Sequence, residues 1–207
     1  MITARLESSE INSYMRQLYK KSQNLKPFFV HTAIPTIYKS TMLNFRAGGR
    51  PDRWKSHSPL TAANRASTVS SHALGQDVLI GNGQLQRSIG TVKKVNKASL
   101  EYGTNLIYAT LHQYGGTIRP ITAKYLTIPL PDAIPGSRAR DYENTFIAKG
   151  IIFQKRGDDI VPLFLLKKSV KIPARPFMVW QESDLKELAR DLLMFIDQPN
   201  IYKFMIK

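Results

Sequence analysis

The chain has 207 residues, no cysteine, and 30 Lys+Arg against 15 Asp+Glu, which gives a formal net charge of +15. Without cysteine, disulfides, thiolate nucleophiles and thiolate metal sites are excluded, and no apolar window is long enough to predict a membrane span. We expect no signal peptide at the N-terminus, synthesis in a reducing cytoplasm and an anionic partner, most commonly nucleic acid.

The N-terminal region is predicted to be helical. From about 8 to 22, apolar residues recur every three or four positions, which indicates one amphipathic helix. A second helix is expected from about 27 to 45. Pro35 lies inside it, and because proline lacks an N–H donor we expect a kink there, or two shorter helices.

Loop and turn signals follow. Proline, serine and aspartate make 50–59 a loop, and Ser58-Pro59 then opens a third helix with Ser58 as its cap. The remaining predicted elements are a turn at 81–83, a helical turn at 84–89 leading into a strand, strands at 98–102 and 125–130, a short helix at 106–114, a hairpin of 150–155 with 160–166, a strand at 168–172 and a helix at 183–196.

These elements predict an α+β fold, in which a central, mostly antiparallel sheet has helices at its N-terminal and C-terminal ends. The stretch 131–145 between two strands is a long polar loop insertion, and loops of that length are usually mobile or functional. We expect an N-terminal helical region at 1–50, a core domain at 51–197 and an apolar, basic C-terminal arm at 198–207.

Catalytic, cofactor and metal sites are not predicted. The four histidines form no helical pair and have no carboxylate at metal-ligand spacing. The Gly81-Asn-Gly83 and Gly115-Gly116 turns match neither a P-loop nor a dinucleotide fingerprint. An enzyme of assembly would need His112 or Asp158 for activity, and no sequence feature favours it.

Basic residues form scattered clusters. We predict that five of them face DNA: Lys93, Lys94, Lys97, Arg138 and Arg140. Such clusters favour non-specific attraction to the phosphate backbone over base recognition. The alternative is a solvated face that keeps strand edges from aggregating.

Two short segments stand out, Tyr108–Gly116 and Lys171–Phe177. The second carries two prolines, which stiffen the backbone and end the sheet ladder. It is either a rigid connection from strand to helix or a contact between subunits, since a stiff loop docks at low entropic cost. The residues predicted at a subunit or partner interface are Trp54, Tyr108, His112, Gln113, Tyr114, Arg175 and Phe177.

The order of these segments resembles the phage virion morphogenesis proteins of the Mu-type tail completion family. The resemblance covers about 40–195 and comprises Trp54, Ser58-Pro-Leu-Thr61, Gly83-x-Leu85, Ser88-Ile89, Tyr108-Ala109, His112-Gln113-x-Gly115 and Ile172-Pro-Ala-Arg-Pro-Phe177. The stretch 131–150 is longer than in compact members of the family.

The resemblance implies a structural virion protein without enzymatic activity at the head–tail junction of a tailed bacteriophage. Such proteins form a homo-oligomeric ring, typically a hexamer, in the virion neck. Its partners would be the adjoining neck or connector proteins, the tail terminator or tail tube proteins, and the genomic DNA passing non-specifically through the channel. Assembly would take place in the host cytoplasm. The alternative from another class is a basic nucleic-acid-binding module without enzymatic activity, which would bind duplex as a free monomer.

Overall fold

The computed structural model describes residues 8–67 and 78–197. The predicted C-terminal arm at 198–207 therefore lies outside the described residues. The helices are α1 Ser8–Ser22, α2 Lys26–Phe28, α3 Ile34–Ala47, α4 Pro59–Ser67, α5 Gln84–Ser88, α6 Ala109–Tyr114 and α7 Glu182–Asp197, with a π turn at Phe29–Ala33 and a 3-10 turn at Ala139–Asp141.

All strand pairs are antiparallel. The strands are β1 Val92–Val95, β2 Leu100–Gly103, β3 Gly116–Ile118, β4 Leu126–Pro129, β5 Thr145–Ala148, β6 Ile151–Arg156, β7 Asp159–Lys167 and β8 Val170–Ile172. They form the pairs β1–β2 and β3–β8 and one four-stranded sheet in the order β4-β7-β6-β5. The predicted α+β class is confirmed, and the described residues form three small sheets in place of one central sheet.

The chain divides into two compact units that are discontinuous in sequence. Unit 1 contains the described residues up to Asn44, then Ser88–Asn105 and the described residues from Val179 onward. Unit 2 contains the described residues of Phe45–Arg87 and Leu106–Met178. This division differs from the predicted linear one, because segments distant in sequence pack together in each unit.

Unit 1 is built on helices. Its core contains Phe28, Ala33, Ile37 and Phe195, with partly buried residues of β2 packed against them. At the C-terminal end of α7, the Lys21 ammonium donates to the carbonyls of Phe195 and Ile196, at 3.3 and 3.1 Å. A cation at this place satisfies carbonyls that lack a partner inside the helix.

The expected break at Pro35 takes the form of a π turn. The Ile34 N–H bonds to the Phe29 carbonyl, one residue further back than in an α-helix. A proline in a regular helix would place its ring against the carbonyl four residues earlier. The wider turn directly before Pro35 accommodates the ring, and helical structure continues to Ala47.

Unit 2 carries the four-stranded sheet. Its core contains Ala133, Ile152, Leu163 and Phe164. Leu163 and Phe164 are consecutive in β7 and both fully buried, although side chains normally alternate between the faces of a strand. A register shift between β6 and β7 at this point explains the exception, because a bulge places an extra residue on one strand.

The predicted loop insertion is folded onto this core. The Tyr142 hydroxyl accepts a bond from the Ile134 N–H at 2.7 Å and lies 2.7 Å from the Ser137 hydroxyl. The Tyr142 ring packs edge-on against Phe164. These contacts tie the middle of the 131–145 segment to the sheet.

Candidate functional site

The two segments singled out in the sequence lie against each other in unit 2. The Gln113 side chain at the end of α6 accepts bonds from the N–H groups of Phe177 and Met178, both at 3.0 Å. Its amide nitrogen donates to the Met178 carbonyl at 3.3 Å. One glutamine side chain therefore provides hydrogen-bond partners for backbone groups of an extended segment that lies beyond the end of β8.

Gly115 allows the two segments to approach closely. It has a φ of +71°, and a Cβ atom added there would lie 2.7 Å from the Ala174 nitrogen and 3.0 Å from the Ile172 carbonyl oxygen. One turn earlier, the His112 carbonyl accepts a bond from the Arg175 N–H at 2.7 Å. Only glycine fits both the left-handed backbone and this separation.

The loop before α4 is the third part of the arrangement. The Arg175 guanidinium donates to the Lys55 carbonyl at 2.9 Å and to the Ser56 carbonyl at 3.0 Å. The Trp54 indole N–H donates to the Pro176 carbonyl at 3.0 Å. These bonds connect two loops that lie far apart in sequence.

Aromatic packing completes the arrangement. Phe45 contacts Trp54 edge-on, with ring centroids 5.7 Å apart, and lies 5.6 Å from the Phe177 ring. Phe177 is 1% exposed and Trp54 is 8% exposed. We call the set Trp54, Gln113, Gly115, Arg175 and Phe177 the Gln113 clamp.

Burial changes the acid–base properties of two groups here. Burial, and then the neighbouring Arg175 charge, lowers the pKa of His112. Burial, and then the charge of Arg65, lowers the pKa of Arg175, which nevertheless stays protonated as arginines do in proteins. The site therefore holds fixed positive charge, and that charge disfavours protonation of the histidine.

The predicted interface residues fall into two groups. The side chains of Trp54, Gln113, Arg175 and Phe177 bond and pack inside unit 2, so the rigid connection is the structural role that the clamp gives them. Tyr108 and Tyr114 are exposed, and His112 is half-buried with its ring edge-on to Tyr108. A contact of all seven residues with another subunit or partner stays a prediction, and among them the two tyrosines have exposed side chains.

Three exposed isoleucines that lie close to these tyrosines in the sequence were not predicted. Ile107 is 96% exposed, Ile121 is 99% exposed, and Ile118 on β3 is exposed as well. Apolar residues in a short element predict burial by composition alone, and only the fold shows which of them face solvent. We call Ile107, Tyr108, Tyr114, Ile118 and Ile121 the 107–121 apolar residues.

The three lysines of the first predicted DNA-facing cluster lie on one hairpin but not on one face of it. Lys93 is paired in register with Tyr102, and Lys94 with Glu101. Because successive strand residues point to opposite faces, Lys93 and Lys94 point apart. Lys94 also forms an exposed ion pair with Glu101 at 3.8 Å. Lys97 lies in the connecting turn and is exposed.

The other predicted DNA-facing residues, Arg138 and Arg140, lie on the 131–145 segment and are both exposed. Asp141 shapes their turn, since its carboxylate accepts a bond from the Arg138 N–H at 2.7 Å. The two guanidinium groups are therefore presented by an ordered turn. Their assignment to a DNA-facing surface stays a prediction.

Metal-binding clusters are absent from the described part of the chain. Within 8–67 and 78–197, no three His, Asp or Glu side chains come close enough to hold a metal ion. Asp158 lies in the turn between β6 and β7, as the sequence predicted. No helix in the same ranges is long and apolar enough to cross a membrane.

The fold and this site define an α+β protein in which the most distinctive residues build a rigid scaffold with charged and apolar side chains on its surface. The model of the phage virion morphogenesis family matches residues 6–196. The chain belongs to that family, as its sequence resemblance predicted, and is a bacteriophage virion morphogenesis protein. A search of the curated proteins gave no match, and a search of the solved structures gave none either.

Proposed function

We propose that this protein joins the phage head to the tail as a homo-oligomeric ring in the virion neck, where DNA passes through its centre. The family gives the general role in virion morphogenesis. The observation that carries the finer assignment is the group of 107–121 apolar residues on a chain with a net charge of +15. Large apolar side chains left exposed within one short stretch of chain favour a surface that binds another protein.

Ring closure requires two different faces on each subunit, because each copy contacts its neighbours head to tail. The 107–121 apolar residues supply one such face. The Gln113 clamp anchors one of them, since α6 carries both Gln113 and Tyr114. A rigid support lowers the entropic cost of association.

The positive charge fits a channel that holds DNA. A moving duplex tolerates diffuse attraction to its phosphates and would be slowed by base-specific contacts. Exposed cations such as Lys97, Arg138 and Arg140 supply that kind of attraction. In this proposal the adjoining neck or connector proteins and the tail terminator or tail tube proteins contact the two ends of the ring.

Deletion of the gene in the phage tests the proposal. We expect filled heads and complete tails that accumulate without joining, and restoration of joining by the purified protein. Normal infectious particles from the deletion phage would contradict the head–tail role.

A free nucleic-acid-binding module is the second candidate, and the net charge of +15 favours it. It predicts tight, steeply salt-dependent binding of duplex by the isolated monomer. A salt titration that shows no duplex binding near physiological ionic strength would remove this candidate and leave the head–tail role intact.

A further inference from the structure

Unit 2 contains a cavity of about 400 Å³ beside the Gln113 clamp. Its described lining includes Arg65 from α4, Lys171 from β8 and the clamp residue Arg175. His57 and His112 also line it, whereas no aspartate or glutamate does. The fixed charges of the described lining are therefore all positive.

Two of the arginines are close enough to affect neighbouring groups. Arg65 is near enough to lower the pKa of Arg175, and Arg175 does the same to His112. Like charges in a partly buried cavity repel each other, and this repulsion is relieved when an anion enters. The cavity therefore favours an anionic ligand.

Hydrogen-bonding capacity remains inside the cavity. Arg175 is 7% exposed, and its side-chain bonds to the Lys55 and Ser56 carbonyls use two of the five N–H donors of a guanidinium. The Nδ1 atom of His112 is buried and has no hydrogen-bond partner among the described residues. A buried polar atom without a partner costs free energy that a ligand can recover.

The lining also contains an apolar part, which includes Leu79, Leu85, Ile172 and Pro173. A bare inorganic anion would leave this surface uncovered. The volume suits a few residues of a peptide or a small molecule, whereas duplex DNA binds to cations on an exposed surface. The low exposure of Arg175 disfavours contact with the phosphates of a rigid duplex.

We propose that this cavity binds a short acidic segment of a partner protein, with a carboxylate near Arg65, Arg175 and Lys171 and a neighbouring apolar side chain against Leu79 and Leu85. The proposal is independent of the ring in the virion neck, because it concerns a cavity within one unit of one chain. It assigns a second binding site to the protein. Tyr108 belongs both to the described lining of this cavity and to the 107–121 apolar residues.

The test is an NMR titration of the full chain with two peptides, acetyl-Leu-Glu-amide and its neutral counterpart acetyl-Leu-Gln-amide. We expect the acidic peptide to bind at least about tenfold more tightly and to shift the resonances of His112 and Leu85. Equal affinity of the two peptides, or the absence of shifts at these residues, would overturn the proposal.

Variants locate the site. Arg65→Gln and Lys171→Gln remove lining cations that lie outside the clamp, and we expect each to weaken the acidic peptide several-fold while the spectrum of the folded protein is retained. Lys168→Gln is the matched control, since Lys168 is exposed and next to β8 but not in the lining. An equal weakening by Lys168→Gln would indicate only general charge attraction and contradict the site.

Competition identifies the ligand class. Inorganic phosphate and a short DNA duplex are added separately to the complex with acetyl-Leu-Glu-amide. We expect phosphate to compete only at much higher concentration than the peptide, because it leaves the apolar lining uncovered. Displacement by equimolar phosphate or by the duplex would contradict an acidic peptide segment as the ligand.

Discussion

The Gln113 clamp and the β1–β2 hairpin use polar residues in opposite ways. In the clamp, Gln113 and Arg175 direct their hydrogen bonds to the backbone of unit 2, and the aromatic rings between them are buried. On the hairpin, Lys93, Lys94 and Lys97 are all exposed, and the ion pair between Lys94 and Glu101 is loose and solvated. The clamp residues therefore determine stability, whereas the hairpin residues can determine what the protein attracts.

Replacement of the buried ring should have the largest effect. Phe177→Ala removes a ring that is 1% exposed and packs on Phe45, so we expect a loss of about 3–5 kcal/mol in the free energy of unfolding. Urea denaturation measures it. Phe146→Ala is the matched control, because Phe146 is 41% exposed on the edge strand β5 and should cost much less. Similar losses for the two variants would show that the clamp is not a packed core.

Alanine substitutions at two glycines separate the cost of a steric clash from the cost of backbone strain. Gly115→Ala combines a φ of +71° with a clash at the Ala174 nitrogen, whereas Gly136 has a φ of +82° and nothing within 4 Å of an added Cβ. We expect Gly115→Ala to cost about 2–4 kcal/mol and Gly136→Ala about 1 kcal/mol in unfolding free energy. If thermal or urea unfolding shows that the two variants lose the same free energy of unfolding, the close approach of α6 to the segment Lys171–Phe177 contributes nothing to stability.

The Gln113 amide should have an intermediate effect. Gln113→Ala leaves the N–H groups of Phe177 and Met178 without their acceptor, and an unsatisfied buried donor costs about 1–3 kcal/mol. Gln113→Glu keeps the acceptor but places a carboxylate against the Met178 carbonyl. Hydrogen exchange of the two amides provides the local readout. We expect faster exchange in Gln113→Ala, and unchanged protection there would refute the role of the side chain.

On the hairpin, charge removal should change binding and leave stability unaffected. In the double variant Lys93→Gln and Lys97→Gln, the slope of the logarithm of the duplex binding constant against the logarithm of the salt concentration should become shallower. The expected change is about 0.9 for each phosphate that is no longer neutralised. Fluorescence anisotropy across salt concentrations measures this slope. Lys186→Gln is the control, since Lys186 is exposed on α7 and pairs with Glu182 at 2.8 Å. A slope that changes equally in the control would argue against the hairpin as a DNA-facing surface.

The smallest effect concerns pH. Burial lowers the pKa of His112 below its ordinary value of 6.5, so in acid the unfolded chain takes up a proton more readily than the folded one. The contribution of His112 to the free energy of unfolding should be constant above about pH 7 and fall as the pH drops through about 6.5. His112→Gln should flatten this decline. Parallel pH profiles for wild type and His112→Gln would contradict the burial effect.

Local signals in the sequence predicted much of the fold. Ser58 caps α4 as expected, with its hydroxyl accepting a bond from the Thr61 N–H at 3.2 Å. The β6–β7 hairpin and the helix at 183–196 were also predicted, because turn chemistry and helical periodicity act over a few residues. β3 and β5 were missed, since short strands acquire their structure from the strand beside them.

The site was predicted only in part. The sequence drew attention to both halves of the clamp but did not show that Gln113 bonds to Phe177 and Met178. Contacts between residues far apart in one chain leave no periodic signal. For the same reason the division into two units escaped prediction, because unit 1 is assembled from three separate stretches.

A cryo-EM reconstruction of the virion neck that resolves side chains tests the central claim most directly. We expect a ring of this protein at the head–tail junction, with Tyr114 and Ile121 in contact with neighbouring chains and Phe177 enclosed within its own subunit. A subunit whose Phe177 or Trp54 inserts into a neighbouring chain, while Tyr114 and Ile121 face solvent, would contradict it.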